Sequence, residues 1–134
     1  MSLAYVKKIC RFGGTGFVGS FFARTLISQK AFDKVYLVDI EGIEDKKSHY
    51  RINMLKNEER IIYLKGDVRT NLNDLNIQDE VGLICNFAAI HREPGHERNE
   101  YYETNLLGAE NICNWANLKG CSRIIFTSSI SPYG

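Results

Sequence analysis

The chain has 134 residues and a formal net charge of +1, enough for one domain that buries roughly two thirds of its unfolded surface. That charge balance gives no electrostatic case for nucleic acid or an anionic membrane. No apolar segment approaches the ~20 residues of a membrane span, and the N-terminal residues lack the apolar core of a signal peptide.

Val6 to Cys10 is a short apolar run, interrupted by Lys7 and Lys8, and is predicted as the first strand. Phe12-Gly13-Gly14-Thr15-Gly16-Phe17-Val18-Gly19 follows, then a helical pattern with Val18, Phe21, Phe22 and Leu26 on one side. Strand, glycine turn and helix in that order suit a diphosphate. Gly13 makes the tight turn without a Cβ penalty. Gly16 lets the backbone approach a pyrophosphate, and Gly19 lets the helix pack closely on its strand. The first helical N–H groups then face the phosphates. A purely structural turn is the alternative for the glycines alone. A second apolar run, Val35 to Val38, ends in Asp39, 20 residues after Gly19. A dinucleotide fingerprint expects an acid there for the ribose hydroxyls; a helix cap or solvated loop acid is the alternative.

Glu41 to Arg60 is polar, with a short helix around Ser48–Leu55. Ile61 to Leu64 is a third strand, closed by Lys65-Gly66-Asp67. Thr70 is placed to cap a short helix through about Leu75–Ile77. Val81 to Phe87 is a fourth strand running into Ala88-Ala89. Pro94 and Gly95 make His91–His96 a loop. A long helix spans about Glu97 to Leu118, with Tyr102, Leu106, Ala109, Cys113 and Ala116 as its buried stripe and Gly120 as its C-terminal cap. Arg123 to Thr127 is a fifth strand, followed by Ser128-Ser129. The four cysteines, Cys10, Cys85, Cys113 and Cys121, form no C-x-x-C pair. They are expected to be reduced thiols in the core, as in a reducing cytoplasm.

This alternation predicts an α/β, Rossmann-like, doubly wound parallel sheet of order 3-2-1-4-5, ending after the fifth strand. Residues 1–134 form one domain. Strands this apolar suit a sheet covered on both faces. The switch point lies between the first and fourth strands, so the cleft falls where Gly13 and Ala88 meet.

Gly13-Gly14-Thr15-Gly16-Phe17-Val18-Gly19, Asp39, Gly66-Asp67-Val68, Phe87-Ala88-Ala89, Tyr102 to Asn105 and Thr127-Ser128-Ser129 to Tyr133-Gly134 together resemble the extended short-chain dehydrogenases. The nucleotide-sugar epimerase and dehydratase branch is the most similar. The resemblance implies NAD as cofactor, with Gly13, Gly16, Phe17 and Val18 at the pyrophosphate and Asp39 at the adenosine ribose. It implies Asp67 and Val68 beside the adenine, Asp67 accepting from its amino group; helix capping is the other role open to Asp67. Phe87, Ala88 and Ala89 would present backbone and small side chains to the cofactor, or simply pack the strand end. Asn105 would fix the active-site geometry, or satisfy a backbone carbonyl. Thr127 is expected among the cofactor contacts, and Ser129 matches the catalytic serine that hydrogen-bonds the sugar oxygen. Asp39 argues for NAD over NADP, because a 2′-phosphate at ~4 Å from a carboxylate costs up to about 4 kcal/mol at an effective dielectric of ~20.

The family's chemistry also needs a Y-x-x-x-K pair, with tyrosine taking the hydroxyl proton and lysine lowering its pKa. No tyrosine in these residues has a lysine four positions on. The expected function is therefore the NAD-binding portion of an enzyme that works by transient hydride transfer to NAD, the 134 residues alone being inactive. A non-catalytic dinucleotide-binding module is the alternative, and a degenerate remnant that binds nothing is a third. Expected partners are a nucleotide-sugar substrate in the full-length protein and a homo-oligomer other than the family's usual dimer, since apolar surface around the fifth strand invites association of another kind.

Three departures from the family pattern stand out. Phe12 replaces the usual Thr, which removes a hydroxyl that braces the turn and adds a ring near the cofactor. Arg11 puts a charge in a central strand, where it must find an acid, reach solvent or distort the strand. Asn86 replaces a common His. In the loop, the spacing of His91 and His96 matches no standard metal site. His91 and Arg92 approach the nicotinamide or the sugar diphosphate, or the loop is simply solvated.

Overall fold

Apolar strands alternating with amphipathic helices bury most surface when the strands lie side by side under helices on both faces. The computed structural model describes residues 8–30, 32–41, 53, 55–90, 95 and 97–128, without the side chain of Arg11. β1 (Lys8–Phe12), β2 (Lys34–Asp39), β3 (Ile61–Lys65), β4 (Leu83–Asn86) and β5 (Ile124–Phe126) form one sheet, ordered β3-β2-β1-β4-β5. Each neighbouring pair is parallel, as the sequence led us to expect. α1 (Phe17–Ser28) lies between β1 and β2. α2 (Arg98–Tyr102), a π-helical turn (Glu103–Leu107) and α3 (Gly108–Leu118) lie between β4 and β5. Among the described residues no helix is long and apolar enough to cross a membrane.

Successive strand side chains point to opposite faces of a sheet. Ile9, Val35, Leu37, Leu83 and Cys85 therefore pack with Ala23 and Leu26 of α1. Cys10, Phe12, Tyr36, Val38 and Ile84 pack with Ile112, Trp115 and Ala116 of α3. Phe12 is fully buried and meets Trp115 edge-on, ring centroids 5.7 Å apart. This corrects the expectation of a ring near the cofactor. β1 runs two residues past the apolar run, so Phe12 becomes a strand residue on the α3 face. Arg11 keeps its register opposite Leu37 and Cys85, so the strand is not distorted there.

Other expectations change in detail. The short helix near Thr70 is a single 3-10 turn, Leu72–Asp74, capped by Asn71, whose side chain accepts from Asn73 N at 2.9 Å. The Thr70 hydroxyl instead donates to Asp67 O at 2.9 Å. The long helix is three pieces. Its second half buries Gly108, Ile112, Trp115 and Ala116, while Tyr102, Leu106 and Cys113 are exposed. Of the expected stripe only Ala116 is buried, and Cys113 is no core thiol; Cys10, Cys85 and Cys121 are buried and form no disulfide among the described residues. Gly120 does cap the helix, with φ +65°. Gly120 N donates to Asn117 O and Cys121 N to Ala116 O, the two bonds of a Schellman end. Of the Ser48–Leu55 helix only Asn53 and Leu55 are described, both helical; of the His91–His96 loop, only Gly95.

At the N-terminal edge of the sheet, Lys8 and Lys34 stand in register and both pair with Asp79, at 2.9 and 2.8 Å. The Tyr36 hydroxyl donates to the same carboxylate. This network joins β1, β2 and the entry to β4 at the end of the sheet opposite the glycine turn.

Candidate functional site

β1 ends at Phe12 and the chain reverses through Gly13–Gly16 into α1. Gly13 has φ +66°, and a Cβ there would lie 2.6 Å from Ala88 N and 2.7 Å from the Phe87 carbonyl carbon. The turn thus rests directly on the backbone leaving β4, at the expected switch point. A Cβ on Gly19 would lie 2.5 Å from Gly13 O. The close packing at Gly19 is therefore between α1 and the turn itself, not between α1 and the strand. A Cβ on Gly16 would meet only Gly13 O, at 3.3 Å, so the backbone is open on its other side. No side chain caps α1, and its first turn holds no acid. Its leading N–H groups keep their attraction for an anion.

A cavity of about 560 Å³ opens along the carboxyl edge of the sheet, within the size range of cofactor sites. Gly13, Gly16, Phe17 and Val18 line it from the turn and helix, and Asp39 from β2. Asp67 and Val68 line it after β3, and Phe87, Ala88 and Ala89 after β4. Asn105 and Thr127 do not line the cavity, and His91 lies outside the described residues. Ser129 also lies outside the described residues.

Each polar candidate has a definite set of bonds. Asp39 Oδ2 accepts from Thr15 N at 3.2 Å and from the Thr15 hydroxyl at 2.6 Å; Oδ1 accepts from Ile40 N at 2.9 Å. The hydroxyl that braces the turn is thus Thr15's, in place of the one lost at position 12. Asp67 is gripped by Arg69, whose Nε lies 3.0 Å from both carboxylate oxygens and whose Nη2 lies 2.7 Å from Oδ2. Asp67 also accepts from Arg69 N at 2.9 Å. The guanidinium holds the Asp67 carboxyl below its usual range. Asn105 sits in the π-helical turn and bonds Ile90 both ways, accepting from its N–H at 3.0 Å and donating to its carbonyl at 3.3 Å. It serves the backbone and, through Ile90, one wall of the cavity. Asn86 Oδ1 accepts from Ala88 N at 3.0 Å, which holds the strand exit in its bend. Thr127 is tied by N–H and hydroxyl to Asn86 O, both at 3.2 Å.

The sequence reading missed Ile40, Arg69, Glu100 and Thr104, which also line the cavity. Arg69 had a visible signal: a donor two residues after an acid closes a side-chain turn. Thr104 lies within the Tyr102 to Asn105 stretch that carries the resemblance, without a role assigned to it; Glu100 had no signal, because only the packing of the helix brings it to the cavity.

The sequence profile of the 3-beta hydroxysteroid dehydrogenase/isomerase family matches residues 11–134. UDP-glucose 4-epimerase of Neisseria meningitidis serogroup C is 27% identical over 133 residues, covering 96% of this chain and 38% of that protein. N-acetyl-alpha-D-glucosaminyl-diphospho-ditrans,octacis-undecaprenol 4-epimerase of Escherichia coli O157:H7 is 27% identical over 126 residues, covering 91% of this chain and 32% of that protein. The chain therefore spans roughly a third of the length of these relatives. Among solved structures, dTDP-glucose 4,6-dehydratase from Bacillus anthracis in complex with NAD superposes with a TM-score of 0.75 at 21% identity, over 96% of this chain and 39% of that one. ADP-L-glycero-D-manno-heptose-6-epimerase of Helicobacter pylori gives 0.76 at 20% identity, over 99% and 42%. At such identities these likenesses concern the fold.

Proposed function

The chain belongs to the 3-beta hydroxysteroid dehydrogenase/isomerase family, within the extended short-chain dehydrogenases, and from that premise we propose that it is the NAD-binding portion of a nucleotide-sugar epimerase or dehydratase. One observation carries the reading: an uncapped helix start and a glycine turn face the same cavity as Asp39 on the neighbouring strand. The residues fit the group. Gly16 and the first N–H groups of α1 would hold the pyrophosphate, Asp39 the adenosine ribose, and Val68 with the Asp67–Arg69 pair the adenine side. Phe87, Ala88 and Ala89 would border the nicotinamide half, with His91 and Thr127 nearby. When bound, the nicotinamide supplies a reversible hydride acceptor for the sugar carbon; Ser129 would hydrogen-bond the sugar oxygen there.

The sugar-nucleotide reading leans on the relatives, two of which are named as 4-epimerases. Residues 1–134 would form the NAD-binding domain, and as they hold no Y-x-x-x-K pair we expect no turnover from these residues alone. Three buried thiols with no disulfide among the described residues fit a reducing cytoplasm. Asp39 at the ribose makes NAD preferred over NADP by the repulsion worked out above. Calorimetric titration tests this directly. NAD should give heat and a rise in Tm, and NADP much less of either. No heat and no shift at millimolar NAD would remove the reading.

A further inference from the structure

We propose that Thr15 is a positioning residue that sets the cofactor preference by holding the Asp39 carboxylate; the inference rests on the dinucleotide reading of the cavity. Thr15 lies inside the glycine run and is only 9% exposed. It supplies two donors to one oxygen of Asp39, its N–H at 3.2 Å and its hydroxyl at 2.6 Å. Ile40 N holds the other oxygen at 2.9 Å. Bonds from a donor to an ionised acceptor are the strong kind, and a β-branched side chain has few χ1 choices. Asp39 is therefore fixed at the cavity rim.

A fixed carboxylate matters because it does two things at once. It presents acceptors to a ribose diol, and it holds a negative charge where a 2′-phosphate would come. A carboxylate able to rotate away does both less well. The turn itself has a separate tie to β2, Gly14 N to Val38 O at 3.3 Å, so loss of the hydroxyl leaves the loop attached. The cation on the same rim, Arg69, is engaged with both oxygens of Asp67, an arrangement that does not invite a 2′-phosphate.

The test is calorimetric titration of the wild-type chain, Thr15→Val, Thr15→Ala and Thr15→Ser with NAD and with NADP. Thr15→Val and Thr15→Ala should bind NAD about tenfold more weakly, with NADP unchanged or tighter, so the preference falls at least tenfold. Thr15→Ser, which keeps both donors, should restore it. Equal weakening of both cofactors, or an unchanged preference in Thr15→Val, overturns the proposal. Unfolding of both apolar variants by circular dichroism, with Thr15→Ser folded, also overturns it by making Thr15 a fold residue. A wild-type chain that ignores NAD sinks the dinucleotide reading and this inference together; NAD binding with an unmoved preference sinks this inference alone.

Discussion

Replacing Gly13 with alanine separates what the glycine turn asks of conformation from what it asks of space, because Gly120 is a matched control. The two have nearly the same backbone angle, φ +66° and +65°. An L-residue held in that left-handed region costs about 1–2 kcal/mol. At Gly120 nothing lies within 4 Å of an added Cβ, so Gly120→Ala should lose only that amount. At Gly13 the methyl would lie 2.6, 2.7 and 2.8 Å from backbone atoms of Ala88 and Phe87. Backbone cannot swing aside as a flexible side chain does, so β1 and β4 must separate at their shared end. Overpacking of that kind adds about 1–3 kcal/mol, for a total of about 2–5 kcal/mol. For a domain of this size about 4 °C of Tm accompanies each kcal/mol. Urea and thermal unfolding of both variants give the comparison: a fall of about 4–8 °C for Gly120→Ala and about 8–20 °C for Gly13→Ala. Equal losses in the two would refute the claim that the turn rests on the β4 exit.

Two further outcomes follow from groups away from the cavity. The Tyr63 hydroxyl is buried without a hydrogen-bond partner among the described residues, and burial pushes its pKa up to about 12. Tyr63→Phe should therefore gain about 1 kcal/mol in urea unfolding at neutral pH. A raised pKa means the neutral form is favoured in the folded chain, so wild-type stability is untouched by this group below pH ~10 and falls as pH climbs toward 12, which widens the variant's advantage. The variant should show a shallower alkaline decline, and a loss of stability at neutral pH would argue against an orphaned hydroxyl. For Asp79, bonds from Lys34, Tyr36 and Lys8 hold the carboxyl well below its usual range. Its stabilisation is present above pH ~4, the unfolded value, and fades as pH falls through the lower folded value. The Tm gap between wild type and Asp79→Asn should be open at pH 7, narrow toward pH 2, and shrink in 1 M salt. A gap independent of pH and salt would mean the network is not what ties the sheet edge.

The sheet and most of the cavity were legible because they rest on backbone demands that residue types announce. Glycine at positions 13, 16 and 19 marks a reversal with close approach, and an acid at the end of the next strand marks the cavity's wall on β2. The apolar run stops two residues short of the end of β1 because Arg11 breaks it. Ladder bonds are made by backbone, however, and the strand continues through Arg11 to Phe12. The Thr15–Asp39 clamp spans 24 positions and leaves no local trace. The Asp67–Arg69 pair spans two and did leave one. Distance along the chain, more than chemical subtlety, separates the two cases.

The misread helix stripe has a physical cause that joins core to site. A hydrophobic pattern favours Tyr102, Leu106, Ala109 and Cys113, yet the buried row lies one residue earlier, at Gly108, Ile112 and Trp115. Extended upward, that row passes through Asn105. Asn105 and Gly108 score low on any hydrophobic scale, so they hide the face they belong to. Both are there for contacts that no apolar residue could make. A Cβ at Gly108 would lie 2.7 Å from Val68 Cγ2, so glycine lets the helix close on Val68. Asn105 bonds Ile90 through both ends of its amide. Val68 and Ile90 are themselves walls of the cavity. The π-helical turn between α2 and α3 adds a residue where Asn105 must reach Ile90, and such turns are frequent at functional sites. Where a helix supports a binding cavity, positional fit overrides periodicity, and the failure of the periodic reading marks the segment that supports it.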